Sequence, residues 1–146
     1  MRRALRQRVE RRQLIALETE LLAELRALRQ RVPHLTGGLV ASADGLPIAH
    51  DTHGTEPSGL AAMSAASLGL AHRLADSTGQ GEFRESLVRG EHGYVAIYAA
   101  GGSCVLTALA HPDANIGRLH LEARRSARRI AALLNETASP REARAF

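Results

Sequence analysis

Three short apolar segments follow one another without a helix between them, and only glycine-containing turns separate them. Residues 82–89 alternate apolar and polar side chains, residues 94–100 are rich in β-branched and aromatic ones, and residues 103–110 follow Gly101-Gly102. Such short connections join antiparallel strands, because parallel neighbours need a crossover of a dozen or more residues. Residues 104–109 are apolar on both faces of a strand, which predicts a central position in a mostly antiparallel sheet.

Two further strands are predicted on either side of Asp44-Gly45. Residues 37–43 and 46–49 are apolar runs, and Asp-Gly between such runs is a strong hairpin signal. In the expected turn both central residues have positive φ. Pro47 has no N–H to donate, so its strand is expected to be irregular or to lie at a sheet edge.

Three helices complete the predicted order. The first ends at Pro33, and its apolar residues recur in steps of three and four: Leu14, Leu17, Leu21, Leu25, Leu28 and Val32. The second covers residues 58–77 and is rich in Ala, Ser and Gly, with one stripe made of Leu60, Met63, Ser67, Leu70 and Leu74. The third covers residues 115–134, with Ile116, Leu119, Ala123, Ile130 and Leu133 facing inward. This order predicts an α+β fold in which helices flank one five-stranded antiparallel sheet.

The charge divides the chain into a domain and two basic ends. All 19 basic residues are Arg, and the net charge is +5 for residues 1–35, −4 for residues 36–110 and +3 for residues 111–146. We expect an Arg-rich N-terminal arm at residues 1–13, either a frayed helix or disordered, a domain at residues 14–134 and a disordered tail at residues 135–146. The absence of Lys excludes the usual forms of P-loop nucleotide site, protein kinase and Schiff-base enzyme.

No residue set points to an enzyme, a metal or a cofactor. Cys104 lies in an apolar strand, where a thiol is usually an inert core residue. His50-Asp51-Thr52-His53 has no second pair at ligand spacing, so a solvated loop is the favoured interpretation. The chain shows neither a spanning segment nor a secretory signal, so we expect a cytoplasmic protein with no transmembrane segment.

Several segments resemble the Roadblock family, which is named for a dynein light chain. They are residues 37–49, the small-residue helix 58–77, residues 101–106 and residues 112–117. The resemblance spans residues 14–134 and rests on scaffold motifs. It implies a profilin-like fold with one helix on one face of the sheet and two on the other. It also implies homodimers joined through the middle helix and the third strand.

The same resemblance implies partners. Bacterial members include a gliding-motility polarity regulator that activates a small Ras-like GTPase, and similar actinobacterial proteins accompany a small GTPase and a sensor-kinase-like protein. We therefore expect a non-enzymatic dimeric scaffold that binds a separate small GTPase. Whether it also alters GTP hydrolysis stays open at this point.

The residues independently favour a homodimer. A helix of small side chains buries little area by itself, and an edge strand must be covered or paired. The predicted dimer and partner interface consists of Leu60, Met63, Leu70, Arg73, Leu74, Phe83, Glu85 and Leu87. Arg73 is included as a candidate contact to the GTPase and as a candidate arginine finger for its GTP hydrolysis.

An alternative function rests on the Arg-rich arm, which would bind nucleic acid or an anionic surface. Phe and Tyr total four residues and are nearly absent from the basic ends, so these ends have few aromatic side chains on which nucleic-acid bases could stack. Nucleic acid is therefore the less favoured partner. The neutral interpretations are a solubilising extension for the arm and a solvated helix face for the arginines at residues 118–129.

Overall fold

A computed structural model describes residues 1–138 of the chain. Its elements follow the predicted order: α1 (Arg2–Arg31), β1 (Leu35–Ser42), β2 (Pro47–Asp51), α2 (Pro57–Ser77), β3 (Glu85–Gly90), β4 (Gly93–Ala100), β5 (Cys104–Ala110) and α3 (Ile116–Ala138). The α+β prediction is confirmed.

The five strands form one antiparallel sheet in the order β2-β1-β5-β4-β3. The central position predicted for residues 104–109 is therefore confirmed. β2, which contains Pro47, lies at one edge, and its register with β1 shifts between Val40 and Ala41. Both features fit a strand that lacks one ladder donor.

Alternate residues of the strands feed two separate cores. On one face Val40, Tyr98 and Leu106 pack with α1 and α3. On the other face Leu39 and Val105 pack beneath α2. The period-2 alternation of a strand assigns each side chain to one of these layers. The sheet thus carries two helices on one face and one on the other, as the resemblance implies.

The first helix includes nearly all of the predicted N-terminal arm. It begins at Arg2, so the residues of the predicted arm from Arg2 onward are helical and continue α1, as the helical alternative expects. Leu21, Leu25 and Leu28 are buried as expected, whereas Leu14 is 62% exposed. Val32 is extended with φ −115° and ψ 105°, as residues before proline prefer, and this ends the helix.

The β1–β2 turn differs from the expected form. Gly45 has φ +89°, whereas Asp44 does not have positive φ. The Gly45 N–H donates to the Ser42 carbonyl at 3.0 Å, and the Ser42 N–H donates to the Leu46 carbonyl at 2.9 Å. Residues 43–45 therefore form a three-residue connection, and only the last of them, Gly45, needs the left-handed conformation.

A buried polar network fixes α1 against α3. Glu24 is 9% exposed and accepts hydrogen bonds from Ser126 at 2.8 Å and from Arg31 at 3.2 Å. Arg31 also donates to Ser126 and to Glu122, each at 2.9 Å. A buried carboxylate is tolerated when it is paired in this way. The network fixes the register of the two helices on this face.

The third helix runs to Ala138, four residues beyond the predicted boundary at residue 134. Its predicted inward residues are confirmed: Leu119, Ala123, Ile130 and Leu133 are buried, and Ile116 packs against the core. The remainder of the predicted tail, residues 139–146, lies outside the described residues. Within residues 1–138, no helix has the length and apolar character needed to cross a membrane.

Gly93 provides a sharp test of the sheet. A Cβ at this position would lie 2.4 Å from the Ala110 carbonyl oxygen in the neighbouring strand. We therefore expect Gly93→Ala to lower the free energy of unfolding by about 2 kcal/mol or more, because backbone must move to relieve the clash. Urea denaturation measures this. Gly102→Ala is the matched control, since nothing lies within 4 Å of its Cβ position. Equal losses in the two variants would contradict the described β4–β5 register.

A candidate protein–protein interface on α2 and β3

α2 begins at a well-defined cap. The Glu56 carboxylate accepts from the Gly59 N–H at 2.7 Å and from the Ser58 N–H at 2.9 Å. These two hydrogen bonds lower the pKa of Glu56, and the one from Gly59 has the larger effect. Pro57 occupies the first turn, where a missing N–H has no consequence. The cap fixes where α2 starts over the sheet.

Small residues let α2 lie close to the sheet but give it little area to bury. Leu60, Ala61 and Ser64 are its only buried residues, and Leu68 is partly buried. Ser64 and Thr107 of β5 are both fully buried, and the Thr107 hydroxyl donates to the Ser64 hydroxyl at 2.7 Å. This hydrogen bond joins the middle of α2 to the central strand.

A second apolar stripe of α2 faces solvent. Met63, Leu70 and Leu74 are 63%, 70% and 64% exposed, and Ser67 lies between them at helical spacing. Large exposed apolar residues that line up on one helix mark an interaction surface more often than scattered ones do. We call these four residues the α2 stripe. Arg73 is exposed on the same helix, next to Leu74.

β3 is the open edge strand next to β4, one of the strands on which α2 packs. Among the described strands it pairs only with β4, and Leu87, Val88 and the next two residues are exposed. Val88 is opposite Val95, which packs with the core beneath α2. Val88 therefore lies on the α2 side of the sheet, and it is 52% exposed. An edge strand of this kind presents unpaired N–H and C=O groups to a partner.

The other face of β3 points toward α3. Glu85 is opposite Tyr98 in the ladder and accepts hydrogen bonds from the Arg124 guanidinium. That hydrogen bonding lowers the pKa of Glu85 and outweighs the effect of its partial burial. Phe83, Glu85, Tyr98 and Arg124 line one groove between the sheet edge and α3. Leu87 shares this side and is 37% exposed.

The predicted interface residues thus divide into three groups. Met63, Leu70, Leu74 and Arg73 lie together on the exposed surface of α2. Phe83, Glu85 and Leu87 lie at the open edge, on the opposite face of the sheet. Leu60 is 7% exposed and packs in the core beneath α2, so it does not share the surface of the α2 stripe.

Sequence reasoning missed Val88. Alternation along β3 separates residues 86 and 88 from residues 85 and 87, and this signal is present in the sequence. Which of the two sets faces α2 depends on the pairing of Val88 with Val95, which the sequence does not reveal.

The other candidate sites behave as ordinary structural residues. Cys104 is buried at the start of the central strand, and burial raises the pKa of its thiol. Asp51 accepts a hydrogen bond from Arg29 at 3.1 Å, and His53 lies 3.5 Å from Asp51. Across residues 1–138 no group of three or more His, Cys, Asp or Glu side chains could hold a metal ion.

Comparisons with known proteins agree on the family and the fold. Residues 21–110 match the Roadblock/LC7 domain family. An uncharacterized protein of Methanocaldococcus jannaschii is 32% identical over 100 residues, which cover 68% of this chain and 87% of that protein.

Solved structures give the same result. A Roadblock/LC7 domain from Streptomyces avermitilis superposes with a TM-score of 0.71 at 26% identity, covering 77% of this chain and 96% of that one. A structure of MglB with a tetrameric arrangement reaches 0.76 at 21% identity, with coverages of 84% and 93%. Acanthamoeba castellanii profilin IB reaches 0.51 at 11% identity, with coverages of 68% and 86%, which confirms the profilin-like fold.

We expect the Ser64–Thr107 hydrogen bond to contribute strongly to the packing of α2 on the sheet. Ser64→Ala leaves the buried Thr107 hydroxyl without this partner, and we expect a loss of about 1–3 kcal/mol in the free energy of unfolding. The double variant Ser64→Ala/Thr107→Val removes both polar groups, so its loss should be smaller than the sum of the single losses. Urea denaturation of the four proteins measures this coupling. Additive losses would show that the two hydroxyls do not interact.

Proposed function

Because this chain belongs to the Roadblock/LC7 domain family, we propose that it is a non-enzymatic scaffold that pairs with a second copy of itself and binds a separately encoded small GTPase. The observation that carries the proposal is the exposure of two surfaces, the α2 stripe and the edge of β3, among residues 1–138. The α2 stripe exposes three large apolar side chains. β3, the edge strand next to β4, exposes an unpaired strand edge and carries Val88 on the α2 side of the sheet.

Pairing two copies about a two-fold axis satisfies both surfaces at once. β3 of one copy runs antiparallel to β3 of the other, so the sheet continues from one subunit into the next. In that arrangement the two α2 helices lie on the same face of the joined sheet, and Met63, Leu70 and Leu74 cover each other and Val88. The tetrameric arrangement of the similarly folded MglB supports self-association.

The remaining predicted residues have supporting positions in this dimer. Phe83, Glu85 and Leu87 flank the paired strands on the α3 side. The Arg124–Glu85 ion pair holds that edge to α3 within each copy. Leu60 contributes from below, because it seats α2 on the sheet.

The GTPase part of the proposal rests on the family resemblance and on one exclusion. A chain without Lys cannot supply the P-loop lysine that contacts the phosphates of GTP. In this proposal the partner protein therefore holds the nucleotide. The joined α2 helices would form the platform for that GTPase, and a sensor-kinase-like protein is the third component that the resemblance implies.

A charge placed in the α2 stripe should dissociate the dimer. We expect the wild-type chain to sediment as a dimer at micromolar concentration. Leu70→Glu should weaken the dimer at least about tenfold, because the carboxylate would be desolvated at the contact. Sedimentation velocity measures the mass, and circular dichroism checks that the fold is retained.

Leu121→Glu is the matched control. Leu121 is 51% exposed on α3, across the sheet from the α2 stripe. Its replacement should leave the dimer unchanged. A monomeric wild-type chain, or equal weakening by the two variants, would refute the proposed interface.

Arg73 is the proposed contact to the GTPase. We expect Arg73→Ala to weaken binding of the small Ras-like GTPase from the same genome, loaded with a fluorescent GTP analogue, about tenfold in fluorescence anisotropy. Arg26→Ala on α1 should have no effect. If Arg73→Ala leaves both the affinity and the GTP hydrolysis rate unchanged, Arg73 has no part in the complex. That result would not affect the dimer proposal, which the Leu70→Glu variant tests.

A further inference from the structure

The first half of α1 is exposed along its whole length. Residues 2–16 are all helical and all exposed, and burial along α1 begins only at Leu17. At 1.5 Å per residue this segment extends for about 22 Å. We call residues 2–16 the basic helix. Neither the core nor the proposed dimer surface uses it.

Six arginines lie on this segment on two opposite sides. They are Arg2, Arg3, Arg6, Arg8, Arg11 and Arg12, and Glu10 is the only acidic residue among them. At 3.6 residues per turn, successive side chains are about 100° apart around the axis. The arginines at positions 8, 11 and 12 then share one side within about 100°. Those at positions 2, 3 and 6 share the opposite side within a similar arc.

This two-sided arrangement does not suit a flat anionic surface. A helix that lies on a membrane needs an apolar face along its length and a separate charged face. Along the basic helix, Leu5 and Val9 are 55% and 53% exposed, and Arg12 occupies the next position of the same stripe. Charge on opposite sides of one helix instead fits a partner that presents anions on two sides.

A nucleic-acid duplex is such a partner. Its major groove is about 12 Å wide, admits an α-helix and has a phosphate backbone along each wall. Arg contacts phosphate through two parallel N–H donors, so each row of three can engage one wall. The shortage of aromatic residues speaks against single strands, whose bases need stacking partners, and does not affect groove binding.

We propose that the basic helix is a docking element for double-stranded nucleic acid and that both rows of arginine contact phosphates. The contact is electrostatic and independent of sequence. The acidic middle of the chain, with a net charge of −4 over residues 36–110, keeps the duplex on this helix and away from the sheet edge. The inference is independent of the proposed GTPase function.

The test measures binding of the full chain to a fluorescent 20-base-pair DNA duplex by anisotropy across a salt series. With four or more phosphates contacted, affinity should fall about 100-fold or more between 50 and 200 mM salt. Changing either row to Gln, as Arg2/Arg3/Arg6→Gln or as Arg8/Arg11/Arg12→Gln, should flatten the slope of log K against log salt by about 2.7. Gln is a good helix former, and circular dichroism verifies that the helix is kept.

The matched control removes the same charge elsewhere. Arg26 on α1 and Arg125 and Arg128 on α3 are exposed, and their replacement by Gln should leave duplex affinity and the salt slope nearly unchanged. The proposal is overturned if the wild-type chain does not bind the duplex, or if only one of the two row variants changes the salt slope. It is also overturned if the control variant loses as much duplex affinity as the row variants do.

Two further probes separate the other anionic partners. Vesicles of phosphatidylglycerol and phosphatidylcholine should bind the chain more weakly than the duplex does, and so should a 20-nucleotide single strand of the same sequence. Tighter binding to the vesicles would identify a membrane-surface element instead. Tighter binding to the single strand would likewise overturn the groove geometry.

Discussion

The central strand β5 is buried on both faces, and the rest of the structure depends on covering those two faces. Leu106 and Ala108 face α1 and α3, whereas Val105 and Thr107 face α2. An apolar strand in this position is stable only when a layer packs on each side of it. β5 pairs with β4, to which a hairpin joins it, and with β1 of the β1–β2 hairpin. The three helices supply the two layers.

The two layers cover the sheet unequally, and this inequality creates the candidate interface. α1 and α3 bury leucines and share the network around Glu24. α2 instead meets the sheet through small residues and a single Ser64–Thr107 hydrogen bond. A helix of this kind retains a second apolar surface, and the strand at the sheet edge retains unpaired backbone groups. Self-association is the simplest way to bury both.

Much of the fold followed from local patterns. Alternation, glycine turns and helical spacing located all eight elements, and Pro47 correctly indicated an edge or irregular strand. The candidate site was less predictable. Leu60 and Met63 belong to one apolar stripe in the sequence, yet the first is buried and the second exposed. Helical periodicity gives the angle between two side chains but not the direction of the sheet.

The sequence by itself determined the element order, the two-sided burial of β5 and the exclusion of a P-loop site through the absence of Lys. Only the tertiary structure decided that Val88 shares a side with α2 and that Leu14 stays exposed. The same holds for the course of residues 2–13, which continue α1. The physical reason is that periodicity and turn chemistry act within a segment, whereas burial depends on which other segment packs against it.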